Sequence, residues 1–223
     1  MTITDTFLLP KADRYQSPKA PADILPIPYG ALTVNSEIGI WQPVCINTTH
    51  HVYAIAGCAL PTQTFSIYAD DLLMDRSFYT VNVANNYEQQ GVITTVQFIT
   101  DPENVAITVT GQGKNLTNPI EIIQDILTLA DYTGRLNTTA WTQARQIAIQ
   151  SELTAAGILT ADQPLSFWLT QILASFLGDW WINNANELTI SLDWLSNPET
   201  FITGILDMTS CDNISYRRDM TNL

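Results

Sequence analysis

Along the first 28 residues, apolar and polar positions follow neither a period of two nor one of 3.6, and five prolines (Pro10, Pro18, Pro21, Pro26, Pro28) interrupt them. Proline fixes φ and removes a hydrogen-bond donor, so such a segment cannot enter the interior of a sheet. Residues 1–28 are therefore expected to form an extended Pro-rich arm that is either a disordered terminus or lies across a surface, this chain's own or a neighbouring subunit's, where it would contribute to subunit contacts. From Ala31 to Gly111 the pattern turns strand-like. The runs WQPVCI, HVYAIAGCAL, TFSIY, FYTVNVA, GVITTVQFI and VAITVT are short, β-branched or aromatic, and separated by Pro, Asn, Asp and Gly, which predicts an antiparallel sandwich or barrel. Thr95–Ile99 and Val105–Val109 alternate well enough to have one buried face each, and Asp101-Pro102-Glu103-Asn104 between them reads as a hairpin loop.

At Asn118 the period changes from two to 3.6. Asn118-Pro119-Ile120-Glu121 places a side-chain acceptor at the N-cap, proline at the first helical position and a carboxylate in the first turn. Ile122, Ile123, Ile126, Leu127 and Ala130 then line one face. A second helix is predicted from about Thr139 to Ala156, stopped by Gly157, where a left-handed residue is cheap. A third carries Leu165, Trp168, Leu169, Ile172, Leu173, Phe176 and Leu177 at helical spacing and ends at Gly178; this stripe reads as core. Next, WWI, the turn Asn183–Asn186 and ELTISL predict a β-hairpin with Leu188, Ile190 and Leu192 on one face. A short helix after Asn197-Pro198 and a strand around Asn213–Tyr216 complete the reading. The fold class is α+β: an arm (1–28), an N-terminal antiparallel β sandwich or barrel (29–113), and a small α+β unit of about three helices and a β-hairpin (114–223), with the boundary near Lys114–Thr117.

Composition narrows the function. Nine Lys plus Arg against 22 Asp plus Glu leave a formal charge of −13, which disfavours binding to nucleic acid or to an anionic membrane. Only 14% of residues are charged, and 28 Thr and 15 Asn supply the polarity instead, a composition suited to uncharged contact surfaces. The stretch Leu165–Ile182 is broken by Gln171 and Asp179 and reads as amphipathic, not membrane-spanning. The opening MTITDTFLLPKADRY has no basic start followed by an apolar core, so no secretory signal is readable. The three cysteines (Cys45, Cys58, Cys211) form no CxxC pair and suggest a reduced, intracellular origin.

Several clusters have the residue types of chemistry without its spacing. Tyr68-Ala69-Asp70-Asp71 resembles the metal-binding hairpin of reverse transcriptases, but the chain offers no basic template channel, and two aspartates also suit a plain turn. Cys45, His50, His51 and Cys58 are zinc-ligand types at poor spacing; adjacent histidines on a strand point to opposite faces. Gly111-Gln112-Gly113-Lys114 has the wrong spacing for a phosphate loop, and Asn115 stands where one needs Ser or Thr. Trp141, Trp180, Trp181 and Trp194 are candidates for a sugar platform, with Trp141 and Trp180 expected in the core. A hydrolase would have to use carboxylates such as Asp70, Asp71 and Asp75.

The order of features resembles the tail-tip and baseplate hub structural proteins of tailed bacteriophages. It rests on Pro26-Ile27-Pro28-Tyr29-Gly30, then Trp41, the strand Tyr53-Ala54-Ile55-Ala56, the YADD turn, GVITTVQF, GQGK, the helix from Asn118 to Leu127, and the hairpin residues Asn186-Glu187-Leu188-Thr189-Ile190. The resemblance spans Ile24 to Leu192. It implies a virion structural protein that forms a symmetric ring or hub through contacts with copies of itself and other tail or baseplate proteins. The implied location is the virion tail, assembled in the host cytoplasm. It implies no enzyme activity, no catalytic, cofactor-binding or metal residues, no cofactor, no direct nucleic-acid binding, no membrane contact and no small-molecule substrate. The alternative is a carbohydrate- or receptor-binding β-rich module, for which the exposure of the tryptophans is the discriminating feature.

Overall fold

A computed structural model of the chain describes residues 2–32, 40–62, 64–102 and 105–192. The elements in order are β1 (Thr6–Phe7), β2 (Ile27–Tyr29), β3 (Ala31–Leu32), β4 (Val44–Asn47), β5 (Val52–Ala56), β6 (Phe65–Ala69), β7 (Leu72–Leu73), β8 (Tyr79–Asn85), β9 (Ile93–Phe98) and β10 (Ile107–Gln112). They continue with α1 (Pro119–Leu129), β11 (Arg135–Leu136), α2 (Thr138–Gln150), β12 (Gly157–Leu159), β13 (Gln163–Pro164), α3 (Leu165–Ala174), β14 (Gly178–Ile182) and β15 (Glu187–Leu192). The fold is α+β, and among the described residues no sheet closes into a barrel. Among the described residues no helix is long and apolar enough to cross a membrane. Trp194, Cys211, the helix expected after Pro198 and the strand expected at Asn213–Tyr216 lie outside the described residues.

Two four-stranded antiparallel sheets, ordered β3-β10-β6-β7 and β4-β5-β9-β8, make the sandwich. Their facing side chains share one core, in which Leu32, Phe65, Ile67 and Val109 of the first sheet meet Ile55 and Val96 of the second. Trp41 sits at the edge of this core; its indole N–H donates to the Ile55 carbonyl (2.8 Å) and its ring meets Phe65 edge-on. The hairpin expected across Asp101–Asn104 is not formed. β9 has β5 on one side and β8 on the other, while β10 pairs with β6, so the connection passes from one sheet to the other. Alternation told which face of each strand is buried, but not which strand lies beside it.

Helix α1 starts where its sequence says. The Asn118 side chain accepts from the N–H groups of Ile120 (2.9 Å) and Glu121 (3.4 Å), with Pro119 in the first turn. Its apolar face packs with α2, α3 and the inner face of the β11-β15-β14 sheet around Leu188, Ile190 and Leu192. The expected β14–β15 hairpin is present, from Gly178 opposite Leu192 to Ile182 opposite Leu188. The Asn183 carboxamide oxygen accepts from Ala185 and Glu187 N–H in its turn. The second helix is shorter than expected. It ends at Gln150, Glu152 takes the left-handed conformation (φ 53°), and Leu153 N–H donates back to Ala148. Gly157 is thus no helix stop and instead opens β12.

The Pro-rich segment is built into the chain's own interior. β1 pairs with β13 and β2 with β12, both antiparallel, which ties the segment to the α+β unit. Phe7, Leu9, Ile27 and Tyr29 are buried in that unit's core. Between these points Ala12, Tyr15 and Leu25 cover the outer face of the second sheet, against Ile46, Val52, Ala54 and Ile93. Residues 2–28 are therefore a strap over this chain's own surface, and both faces of the β4-β5-β9 sheet are buried.

Two measurements test these assignments. Each fully buried Leu or Phe side chain contributes about 1.5–3 kcal/mol, so deleting residues 1–25 removes stabilisation comparable to the whole 5–15 kcal/mol of an ordinary domain. Circular dichroism should show loss of cooperative unfolding; an unchanged melting curve would mean that the strap is dispensable. Asn118→Ala should cost about 1 kcal/mol in urea unfolding through loss of the cap of α1.

Candidate interaction surface

Three separate stretches of sequence converge where the sandwich meets the helical unit. Tyr29 comes from PIPYG, Lys114 from GQGK and Asp125 from α1. The Tyr29 hydroxyl donates to Asp125 Oδ2 (2.7 Å), and Lys114 Nζ lies 2.6 and 2.5 Å from the two oxygens of the same carboxylate. The ammonium also stands over the Tyr29 ring, 5.7 Å from its centroid. Backbone bonds fix the approach: Gly30 N–H donates to Lys114 C=O (3.0 Å), Gly113 N–H to Gly30 C=O (2.8 Å) and Lys114 N–H to Pro28 C=O (2.8 Å). Only glycine fits at 113, where a Cβ would stand 2.6 Å from the Pro28 carbonyl. Burial, then the adjacent Asp125, pushes the Tyr29 phenol far above its ordinary range, so it stays a neutral donor. Burial likewise pushes the Cys58 thiol up to about 11, against the pull of Lys114. This network is a structural clamp, and it accounts for Gly113 and Lys114 of GQGK without a phosphate.

The other flagged residues stand apart from one another. Asp70 and Asp71 form the two-residue turn between β6 and β7, both left-handed (φ 47° and 65°). The Asp70 carboxylate accepts the Ala106 N–H (2.9 Å). Asp75 caps the short turn at Arg76–Phe78 by accepting the Ser77 N–H (2.8 Å), which holds its carboxyl below the usual range. All three aspartates are explained by local backbone geometry. Cys45 is buried in β4, whereas Cys58 is half-buried and packs against the core that holds Tyr29. His50 and His51 occupy the β4–β5 turn, where His51 Nδ1 is 3.6 Å from Asp101 Oδ2. They line a shallow open cleft of about 290 Å³ with Thr80, Gln97 and Ile99. Among the described residues no group of three or more His, Cys, Asp or Glu is gathered as a metal site.

The tryptophans divide by burial. Trp141 is in the core, its indole N–H donating to the Leu188 carbonyl (2.9 Å). Trp180 is half-buried and donates to Thr170 Oγ1 of α3 (2.9 Å). Trp181, the next residue along β14, therefore points to the opposite face and is 44% exposed. Leu177, just before this edge strand, is 56% exposed, and Ile182 at its end, on the face opposite Trp181, is 42% exposed. Leu177 had been expected in the core stripe of the third helix. The helix ends at Ala174 and Leu177 takes a left-handed conformation (φ 54°), a position that glycine or asparagine occupies at lower cost. An exposed leucine is thus held against its backbone preference beside an exposed tryptophan. Asp179 is the only charged residue between Leu177 and Ile182. The sequence signal for this surface was Asp179 between Leu177 and Trp181, a period of two that the helical stripe overlapped. Leu72 and Leu73 on β7, 75% and 66% exposed, add an apolar edge on the sandwich.

Comparison of the chain with known protein families, with curated proteins and with solved structures gave no match.

The clamp makes a quantitative prediction. Asp125→Ala strands a partly buried ammonium and a phenol, and should cost about 3 kcal/mol in urea unfolding, while Tyr29→Phe removes one hydrogen bond and should cost about 1–2 kcal/mol. The double variant should fall short of the sum by more than about 0.5 kcal/mol. Strict additivity would show that the three side chains do not act together.

Proposed function

We propose that this chain is a structural subunit of the tail tip or baseplate of a tailed bacteriophage, assembled in the host cytoplasm and carried in the virion tail. Its partners in this reading are copies of itself and other tail or baseplate proteins, and its role is architectural, with no catalytic step. The observation that carries the reading is the exposed ring of Trp181 on the outward face of the edge strand β14, with Leu177, which precedes the strand, also exposed. Tryptophan is enriched among the residues that dominate protein–protein binding energies, and the exposed Leu177 adds apolar area available to a partner. Low charge supports the same reading, because amide and hydroxyl groups are cheaper to desolvate than ion pairs. The resemblance supports it as well: three of the motifs on which it rests, PIPYG, GQGK and the Asn118 helix, meet at one clamp.

A second reading, a carbohydrate- or receptor-binding module, is favoured by the exposed ring of Trp181 alone. Acrylamide quenching of tryptophan fluorescence that is suppressed by added glycans would support it.

The deciding experiment is quantitative mass spectrometry across a density gradient of lysate from the source culture after phage release. The chain should peak with large particles at a fixed ratio to a tail-tube protein. Confinement to the small soluble fractions would overturn the structural reading and move the binding module to first place.

A further inference from the structure

The outward face of β14 carries a carboxylate as well as a ring. Its register with β15 sets Asp179 opposite Ser191 and Trp181 opposite Thr189. Strand alternation puts both on the face turned away from α3, with the Cα atoms of Asp179 and Trp181 about 7 Å apart. Asp179 is exposed, and its Oδ1 accepts the Trp180 N–H (2.7 Å), which leaves Oδ2 without a donor among the described residues. Nor does Asp179 form an ion pair among them. The other charged groups of this face are Glu187, whose Oε2 accepts from Asn183 Nδ2 (3.0 Å), and Arg135, which stands opposite Glu187 in β11, on the far side of β15 from β14. The hydrogen bond of Asp179 also decides how a partner can attach. Asn183 N–H donates to Glu187 C=O (3.0 Å), so alternation turns the N–H and C=O of Trp180 to the open side of β14. With that N–H already taken, the edge is a poor template for an added strand, and the contact is one of side chains.

We infer that this face receives an arginine side chain from a different tail or baseplate protein, its guanidinium lying on the Trp181 ring and hydrogen-bonding to Asp179. The inference rests on the reading above and names the partner's chemistry at the same surface. An ammonium could satisfy the carboxylate, but a planar guanidinium stacks on the indole and donates to the carboxylate at the same time. The exposed Leu177 offers apolar area to the residues beside that arginine. Charge selects the source. A chain with 22 acidic and nine basic residues repels its own copies and attracts a cationic partner. Three of its basic side chains, Lys11, Lys114 and Arg145, are moreover held by Asp162, Asp125 and Glu121 of the same chain.

The test follows the indole N–H of Trp181 by NMR in the full, isotope-labelled chain, its signal identified by its loss in Trp181→Phe. The probes are the peptide acetyl-Leu-Arg-Leu-amide and its lysine and glutamine counterparts. The arginine peptide should move the signal saturably, the lysine peptide should bind more weakly, and the glutamine peptide should leave the signal in place. Asp179→Asn keeps the oxygen that accepts the Trp180 N–H and removes only the charge. It should weaken the arginine peptide about two- to fivefold, the range of an exposed ion pair, with an unchanged circular dichroism spectrum. Added salt gives the same information on the wild type without a substitution, and should weaken binding. A signal that the arginine peptide does not move, that the glutamine peptide moves equally, or that responds to neither Asp179→Asn nor salt overturns the inference. So does a signal moved by N-acetylglucosamine and not by the arginine peptide, which would give the face to a sugar, or a Trp181 ring that acrylamide does not quench, which would mean that the chain itself or a second copy covers it. The particle gradient tests the other proposal separately: co-purification with tails and no arginine response would reject this contact and leave the virion reading standing, and an arginine response in a chain confined to the small soluble fractions would do the reverse.

Discussion

The carboxylate of Asp125 holds the two halves of the molecule together. It receives the Tyr29 phenol from the end of the strap and the Lys114 ammonium from the end of the sandwich, and it stands on the first helix of the other unit. A half-buried ion pair by itself adds little, because desolvation offsets the Coulomb attraction. Here the phenol supplies a further donor to the same carboxylate, and three backbone bonds among Pro28, Gly30, Gly113 and Lys114 fix the geometry before the side chains meet. Removing one member would leave the others desolvated and unpaired, so the junction specifies how the units dock more than it stabilises either.

Local chemistry was legible in the sequence, and partnership was not. The cap at Asn118, the apolar face of α1, the stripe from Leu165 to Phe176 and the β14–β15 hairpin all follow from residue type and spacing, and each is present. The errors share one cause. Asp101–Asn104 has turn chemistry, but whether its flanking strands pair with each other or with more distant strands is settled by competition across the whole chain. Gly157 has stop chemistry, but the helix had already ended through a left-handed Glu152, a residue type that gives no such signal. The prolines of the strap correctly excluded sheet interiors and said nothing of Phe7, Leu9 and Leu25, whose burial depends on surfaces far away in sequence.

The candidate surface was the least legible feature. Leu177 fits a helical stripe by spacing, and only the helix end at Ala174 turns it outward. The clamp was hidden differently: its three residues were each within a noticed motif, yet nothing in one sequence links a tyrosine at 29 to an aspartate at 125.

The strap has a consequence for how the molecule comes to exist. Thr6 and Phe7 are synthesised before their strand partner Gln163–Pro164, so they can pair only after the sandwich and most of the helical unit have been made. Until then, the outer face of β4, β5 and β9 stays uncovered in the nascent chain, with Ile46, Val52 and Ile93 in water. Contacts this distant in sequence slow folding and expose the chain to aggregation along the way. The strap therefore closes over the sandwich and the helical unit only after residues of both have been synthesised.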